Sequence, residues 1–159
     1  VEVVREGFDC VLRVGALADS GLVAQRLGVL PMANCASPGY VLKHGRPAGL
    51  DDLDRHLLVN YAQNVGGERA LFEYHDGERW TGREMRCLVT VNNADAYRAA
   101  CAAGLGIIQV PRIGVERAIA EGSLIEVLPD FTCEPMPVSL VHAHGRNVPR
   151  RVRAVISSS

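Results

Sequence analysis

The sequence has almost no net charge: 17 Lys+Arg stand against 18 Asp+Glu, a formal balance of −1. The chain as a whole therefore sets up no field that would gather nucleic acid or an anionic membrane, and whatever it binds it must recognise locally. It also lacks a C-x-x-C pair, and its five cysteines, Cys10, Cys35, Cys87, Cys101 and Cys133, are an odd number. All but Cys133 sit inside apolar runs, which speaks against a disulfide framework and predicts reduced, buried thiols. No apolar run approaches the ~18 residues of a membrane span, and no charged-then-apolar leader opens the chain. These absences predict a soluble, cytoplasmic protein with no membrane partner. Internal repeats, heptads and low-complexity tracts are missing too, apart from a short "ISSS" tail.

The enzyme signatures are absent in turn. There is no G-x-x-x-x-G-K-S/T phosphate loop and no G-x-S-x-G elbow, and the "GLG" at 104–106 follows a helix pattern where a dinucleotide fingerprint would follow a strand. Of the five histidines only His142 and His144 come close together, and no third ligand stands near them to make a zinc site. No cysteine follows a sharp Gly-flanked turn, and apolar burial leaves a thiol inert, so Cys87 with Cys101 reads as core packing ahead of a redox pair. The expectation is a protein without catalysis, metal or cofactor.

What is present is 159 residues, 48% of them apolar, enough for one domain or two small lobes. "VEVVREG" has the form of a helix's last turn stopped by Gly7, and Phe8 to Val14 that of a buried strand. A further strand runs from about Gln25 to Cys35, interrupted by Pro31. It turns at Ser37-Pro38, a side-chain cap followed by a first-turn proline, into a short helix stopped by Gly45. A helical turn near Asp51 and the strand candidate "LLVNY" follow. "FEYHDGERW" places Asp76-Gly77 between two polar-aromatic arms, predicting a hairpin that decorates an edge.

The clearest unit is "CLVTV-NNADAYRAACAAG-LGIIQVP": a strand, an Asn cap, an Ala-rich helix ended by Gly104, and a strand ended by Pro111. It predicts a βαβ crossover and a sheet that is at least partly parallel. "RIGVERAIAEG" puts Val115, Ala118, Ile119 and Gly122 on one helical face. "SLIEVLPD" and "PVSLVHAHG" read as strands, and "NVPRRVRAVI" as a helix with Arg150, Arg151 and Arg153 outside its apolar stripe. Strands alternating with helices predict the α/β class.

In such a sheet, ligands sit beyond the carboxyl ends of strands, where helix N-termini present free N–H groups. Two junctions have that form, "NCASPG" around Ser37 and "VNNAD" around Asn92 and Asn93, and the strand end at Gly15 is a third. The plain alternative is that Ser37 and Asn93 only cap their helices and that Gly15 serves an ordinary turn; both roles can coexist.

"REGFDCVLRVGALADSGLVAQRLG", "CASPGYVLKHGRPAGLDDLDRH" and "AYRAACAAGLGIIQVPRIGVERAIAEGSLIEVLPDF", in this order and spacing, resemble the C-terminal effector-binding domain of LysR-type transcriptional regulators. The resemblance covers Val1 to about Ile156. It implies a fold like the type 2 periplasmic binding proteins: two α/β lobes joined by two crossover strands, with a small effector in the cleft between them. Carried onto this chain, lobe I is 1–33 and 140–159 and lobe II is 34–139. The implied effector-binding residues are Gly15, Ala16 and Leu17, Cys35 and Ser37, Tyr61, and Asn92 with Asn93. It further implies homodimers, and tetramers in a full-length protein.

The chain departs from the family pattern in two ways. It has no N-terminal winged helix-turn-helix, through which family members bind DNA. It also has no counterpart of the strand, helix and strand that open the family's first lobe, so that lobe is expected to be incomplete and Phe8 to Val14 to show an unpaired edge. The expected function is ligand sensing for transcription regulation. The rival is a solute-binding protein of a transport system, which shares the fold but needs an oxidising compartment that unpaired cysteines do not suit.

Overall fold

Pro31 divides the apolar run from Val23 to Ala36, because its ring removes the N–H that a continuous ladder needs. Strand β3 (Val23–Leu30) ends before it and β4 (Met32–Ala36) begins after it. The computed structural model describes residues 2–3, 10–15, 23–62 and 69–142. The chain divides near Pro31 and again at Glu134, giving one compact unit of Val1–Leu30 with Pro135–Ser159 and a second of Pro31–Glu134.

The first unit is an antiparallel sheet of β1 (Glu2–Val3), β2 (Cys10–Val14), β11 (Met136–His142) and β3, in that spatial order. Glu2 and Val3 pair with Arg13 and Leu12, so the chain opens as a strand where a helix end is expected. The β-branched residues around that pair suit a pleated edge, and β2 offers the unpaired groups to complete it. With β11 on its other side, β2 has neighbours on both edges, which corrects the expectation of an open one. The β11–β3 register slips between Val138 and Ser139, a bulge that leaves Leu27 unpaired next to Gly28. The C-terminal helix expected over "NVPRRVRAVI", and His144, lie outside the described residues.

The second unit is built on a mixed sheet. β4 pairs antiparallel with β9 (Ile108–Pro111) on one side and with β10 (Ile125–Glu126) on the other. β5 (Asn60–Tyr61) pairs in parallel with β8 (Thr90–Val91), and the parallel bridge Leu58 to Ile107 ties the same segment to the start of β9. The spatial order is therefore β8-β5-β9-β4-β10. The expected crossover is present: helix α2 (Ala94–Ala102) links β8 to β9, with the segment that carries β5 lying between the two strands.

Both faces of this sheet are covered. Ala33, Cys35, Val59 and Ile108 pack against Ala100 and Cys101 of α2 and against Val115, which leads into α3 (Glu116–Glu121). On the other face Ala36, Leu58 and Ile107 meet Tyr40 from α1 (Pro38–His44), Leu53 from a 3-10 turn (Leu50–Arg55), and Phe72 and Met85. Phe72 belongs to the hairpin β6 (Leu71–His75) and β7 (Trp80–Glu84), whose loop is closed by the Asp76 carboxylate accepting the Glu78 and Arg79 N–H groups. Phe72 is fully buried, so the hairpin forms part of a core layer and is more than an edge decoration.

Candidate functional site

Each of the two strand-to-helix junctions singled out from sequence folds by the same local rule. At Ser37 the backbone is extended and the side chain accepts the Tyr40 N–H at 3.0 Å; at Asn93 it is again extended and the side chain accepts the Ala96 N–H at 2.9 Å. Both residues are N-caps. They do not lie together. β4 runs antiparallel to β9, and β5 and β8 run parallel to β9, so the carboxyl end of β4 faces away from theirs. Ser37 is buried beside the far end of α2, where a Cβ on Gly104 would stand 3.6 Å from its Oγ. Asn93 caps the near end of the same helix, roughly 14 Å away at the helical rise.

Tyr61, Asn92 and Asn93 do share one edge. There β5 and β8 end side by side, and β8 leads directly into α2, on the face of the sheet opposite the β6–β7 hairpin. The carboxyl ends of parallel strands beside a helix N-terminus are the general position for ligands in such sheets. Tyr61 is 42% exposed and meets Tyr97 edge-on, with ring centroids 5.1 Å apart. Asn92 and Asn93 are exposed and joined by a 3.2 Å bond from Asn93 Nδ2 to Asn92 Oδ1. In the first turn of α2 the Ala96 N–H is capped, leaving those of Ala94 and Asp95 for another acceptor. The Asp95 carboxylate in the same turn offsets part of the helix's positive end.

The other expected residues fall elsewhere. Gly15 follows β2 in the first unit with φ of 105°, and its N–H is spent on Pro137 O at 2.8 Å. Ala16 and Leu17 lie outside the described residues. Cys35 is fully buried in β4, and burial pushes its thiol up to about 11. Cys101 behaves likewise at about 12, its Sγ lying 3.7 Å from Cys35 O. One cysteine expectation is reversed, since Cys87 is exposed; Cys133, which lies outside the apolar runs, is buried, with its thiol pushed up to about 11. Among the described residues no cluster of His, Cys, Asp and Glu is arranged to hold a metal.

Sequence reasoning missed the polar frame behind this edge. Tyr97 accepts the Gln109 N–H at 2.9 Å, filling the place where the β5–β9 ladder stops. The Gln109 amide donates to Asn34 Oδ1 and Glu73 O and accepts from Glu73 N, while Asn34 donates to Leu128 O and Phe131 O. Every one of these amide groups is satisfied, so the frame holds β4, β9, β6 and the 128–131 turn in register and offers nothing to a ligand. A signal for it was available: Asn34 and Gln109 are lone amides in two apolar strands, and such groups need partners.

The LysR substrate binding domain family matches residues 1–158. The chain belongs to this family. The HTH-type transcriptional regulator YhjC of Escherichia coli is 44% identical over 96% of this LysR domain, and the match spans 51% of that protein. The HTH-type transcriptional activator AaeR of the same species is 32% identical over 99% of the domain and 50% of its own length. The domain thus spans about half the length of these relatives. Among solved structures, the regulatory domain of CrgA, a LysR-type regulator from Neisseria meningitidis, aligns over 94% of the domain and 72% of its own chain with a TM-score of 0.71 at 28% identity. The full-length Vibrio cholerae virulence activator AphB aligns over 94% and 50%, with a TM-score of 0.71 at 26% identity. The fold is therefore the periplasmic-binding-protein-like α/β type of LysR regulatory domains, and the chain is a LysR substrate-binding domain. These relatives are transcriptional regulators and give the transport reading no support.

Proposed function

We propose that this LysR domain senses a small anionic or hydroxylated effector, which the second unit holds at the edge carrying Tyr61, Asn92 and Asn93. The observation that carries the reading is the placing of Tyr61, at the end of β5, against Tyr97 of α2 and beside two uncapped N–H groups in the first turn of that helix, within a chain matched to the family over residues 1–158. The exposed Tyr61 ring supplies an apolar wall, and the Asn92 and Asn93 amides supply neutral donors and acceptors. Ser37 and Cys35, buried at the other end of β4, support the sheet and do not touch the effector.

The output is a population shift. An effector that binds one arrangement more tightly changes the geometry of a homodimer, and of a tetramer in the full-length protein, and so the spacing of its DNA-binding heads. In this reading the protein is cytoplasmic and catalyses nothing. A thermal-shift screen of the full-length regulator with acetate, succinate and benzoate tests it. A ligand at about 100 times its Kd adds roughly 2.7 kcal/mol, which raises the midpoint by about 5–10 °C. Stabilisation by cations alone contradicts it.

A further inference from the structure

Tyr40 is 1% exposed; its hydroxyl lies 2.8 Å from His56 Nδ1 and accepts the Leu57 N–H at 2.9 Å. The phenol has one proton, and with Leu57 donating into its oxygen that proton goes to Nδ1. His56, itself buried, is thereby fixed as the neutral ring with its own proton on Nε2. The three residues come from different places: Tyr40 from α1, His56 from the end of the 3-10 turn, and Leu57 from the start of the segment that runs on to Tyr61.

We propose that the Tyr40–His56–Leu57 bond chain is an acid-sensitive latch, in which proton uptake at His56 Nδ1 releases α1 from the start of the central 57–61 segment of the second unit. A protonated Nδ1 becomes a donor. The phenol oxygen would then face two donors, and the phenol's own proton would have no acceptor in an apolar core.

The charged groups around the latch do not compensate. From α1, His44 stacks on Tyr40 with centroids 4.6 Å apart, placing a second titratable ring beside the first. From the 3-10 turn, Asp52 is occupied by Arg55 at 2.6 Å and by the Ala48 N–H at 2.7 Å, and Arg55 itself opposes a new positive charge. Arg86 acts on Tyr40 from the strand segment beside Leu57. The rest of the surroundings, Leu53, Phe72, Met85 and Val127, is apolar. Burial is the largest cause holding His56 below its ordinary value, His44 adds to it, and Asp52 opposes. The unfolded chain therefore takes the proton first. The stability is fully present above the ordinary histidine value near 6.5 and is lost as pH falls below it.

Thermal unfolding of the full chain at pH 7.5, 6.5 and 5.5, in the wild type, His56→Asn and Tyr40→Phe, tests the latch. Asparagine keeps an acceptor near the Nδ1 position and takes no proton. The wild-type midpoint is expected to fall by about 3 °C or more across this range, and the fall to be at least halved in His56→Asn. Tyr40→Phe is expected to be less stable at every pH, because it leaves the Leu57 N–H without its acceptor and His56 Nδ1 without its donor. Parallel curves for the wild type and His56→Asn overturn the proposal. Should His56→Asn not fold, NMR titration of the wild-type His56 ring decides: a midpoint below 6.5 with the Tyr40 ring signals moving in step supports the latch, and one at or above 6.5 overturns it.

Discussion

A buried thiol and an exposed one differ in what they can do, and the cysteines show how far a residue's neighbours in sequence mislead about its neighbours in space. "CLVTV" reads as a strand, yet its regular pairing is confined to Thr90–Val91, leaving Cys87 exposed, while Cys133 between two polar residues is covered. Thiolate is the reactive form, so Cys35, Cys101 and Cys133, all raised by burial, are expected to resist alkylation in the folded chain at pH 8. Cys87 is expected to label within minutes, and peptide mapping after brief iodoacetamide treatment checks this. At the same scale Gly106 is irreplaceable for a reason of space: a Cβ there would stand 2.9 Å from the Leu58 and Val59 backbone. Gly106→Ala is expected to cost about 1–3 kcal/mol, read from urea unfolding, since backbone on both sides has no rotamer with which to yield.

Elements with their own punctuation were legible in the sequence. Ser37 and Pro38 start α1 and Gly45 ends it, Asn93 starts α2, and Gly122 at φ of 82° ends α3, each by a cap or a conformation that only a few residues supply. Elements that depend on a distant partner were not. Glu2–Val3 became a strand because β2 offered an edge, and the hairpin became core because Phe72 found Leu58 and Ile107 across the sheet. If the hairpin is a core layer, Phe72→Ala should destabilise the chain by roughly 3–5 kcal/mol in chemical denaturation. An edge decoration would lose far less. The candidate site was half legible for the same reason: local caps marked Ser37 and Asn93 equally, and only the antiparallel pairing of β4 with β9 separates them to opposite ends of the sheet.

At the scale of the whole molecule, two units of different construction share one chain, an antiparallel sheet and a three-layer mixed sheet, and the family match runs through both. The central claim is that the Tyr61, Asn92 and Asn93 edge, and not the Ser37 junction, receives the effector. Asn93→Asp and Ser37→Ala separate the two. Aspartate caps a helix as well as asparagine does but sets a negative charge where an anionic acceptor would bind, whereas Ser37→Ala removes a buried cap at a cost of about 1 kcal/mol. The decisive measurement is the carboxylate-induced midpoint shift of the full-length regulator in the wild type and these two variants. The account predicts that Asn93→Asp keeps the unliganded midpoint and loses the shift, while Ser37→Ala lowers the midpoint and keeps the shift. The reverse pattern, a full shift in Asn93→Asp and none in Ser37→Ala, would contradict it.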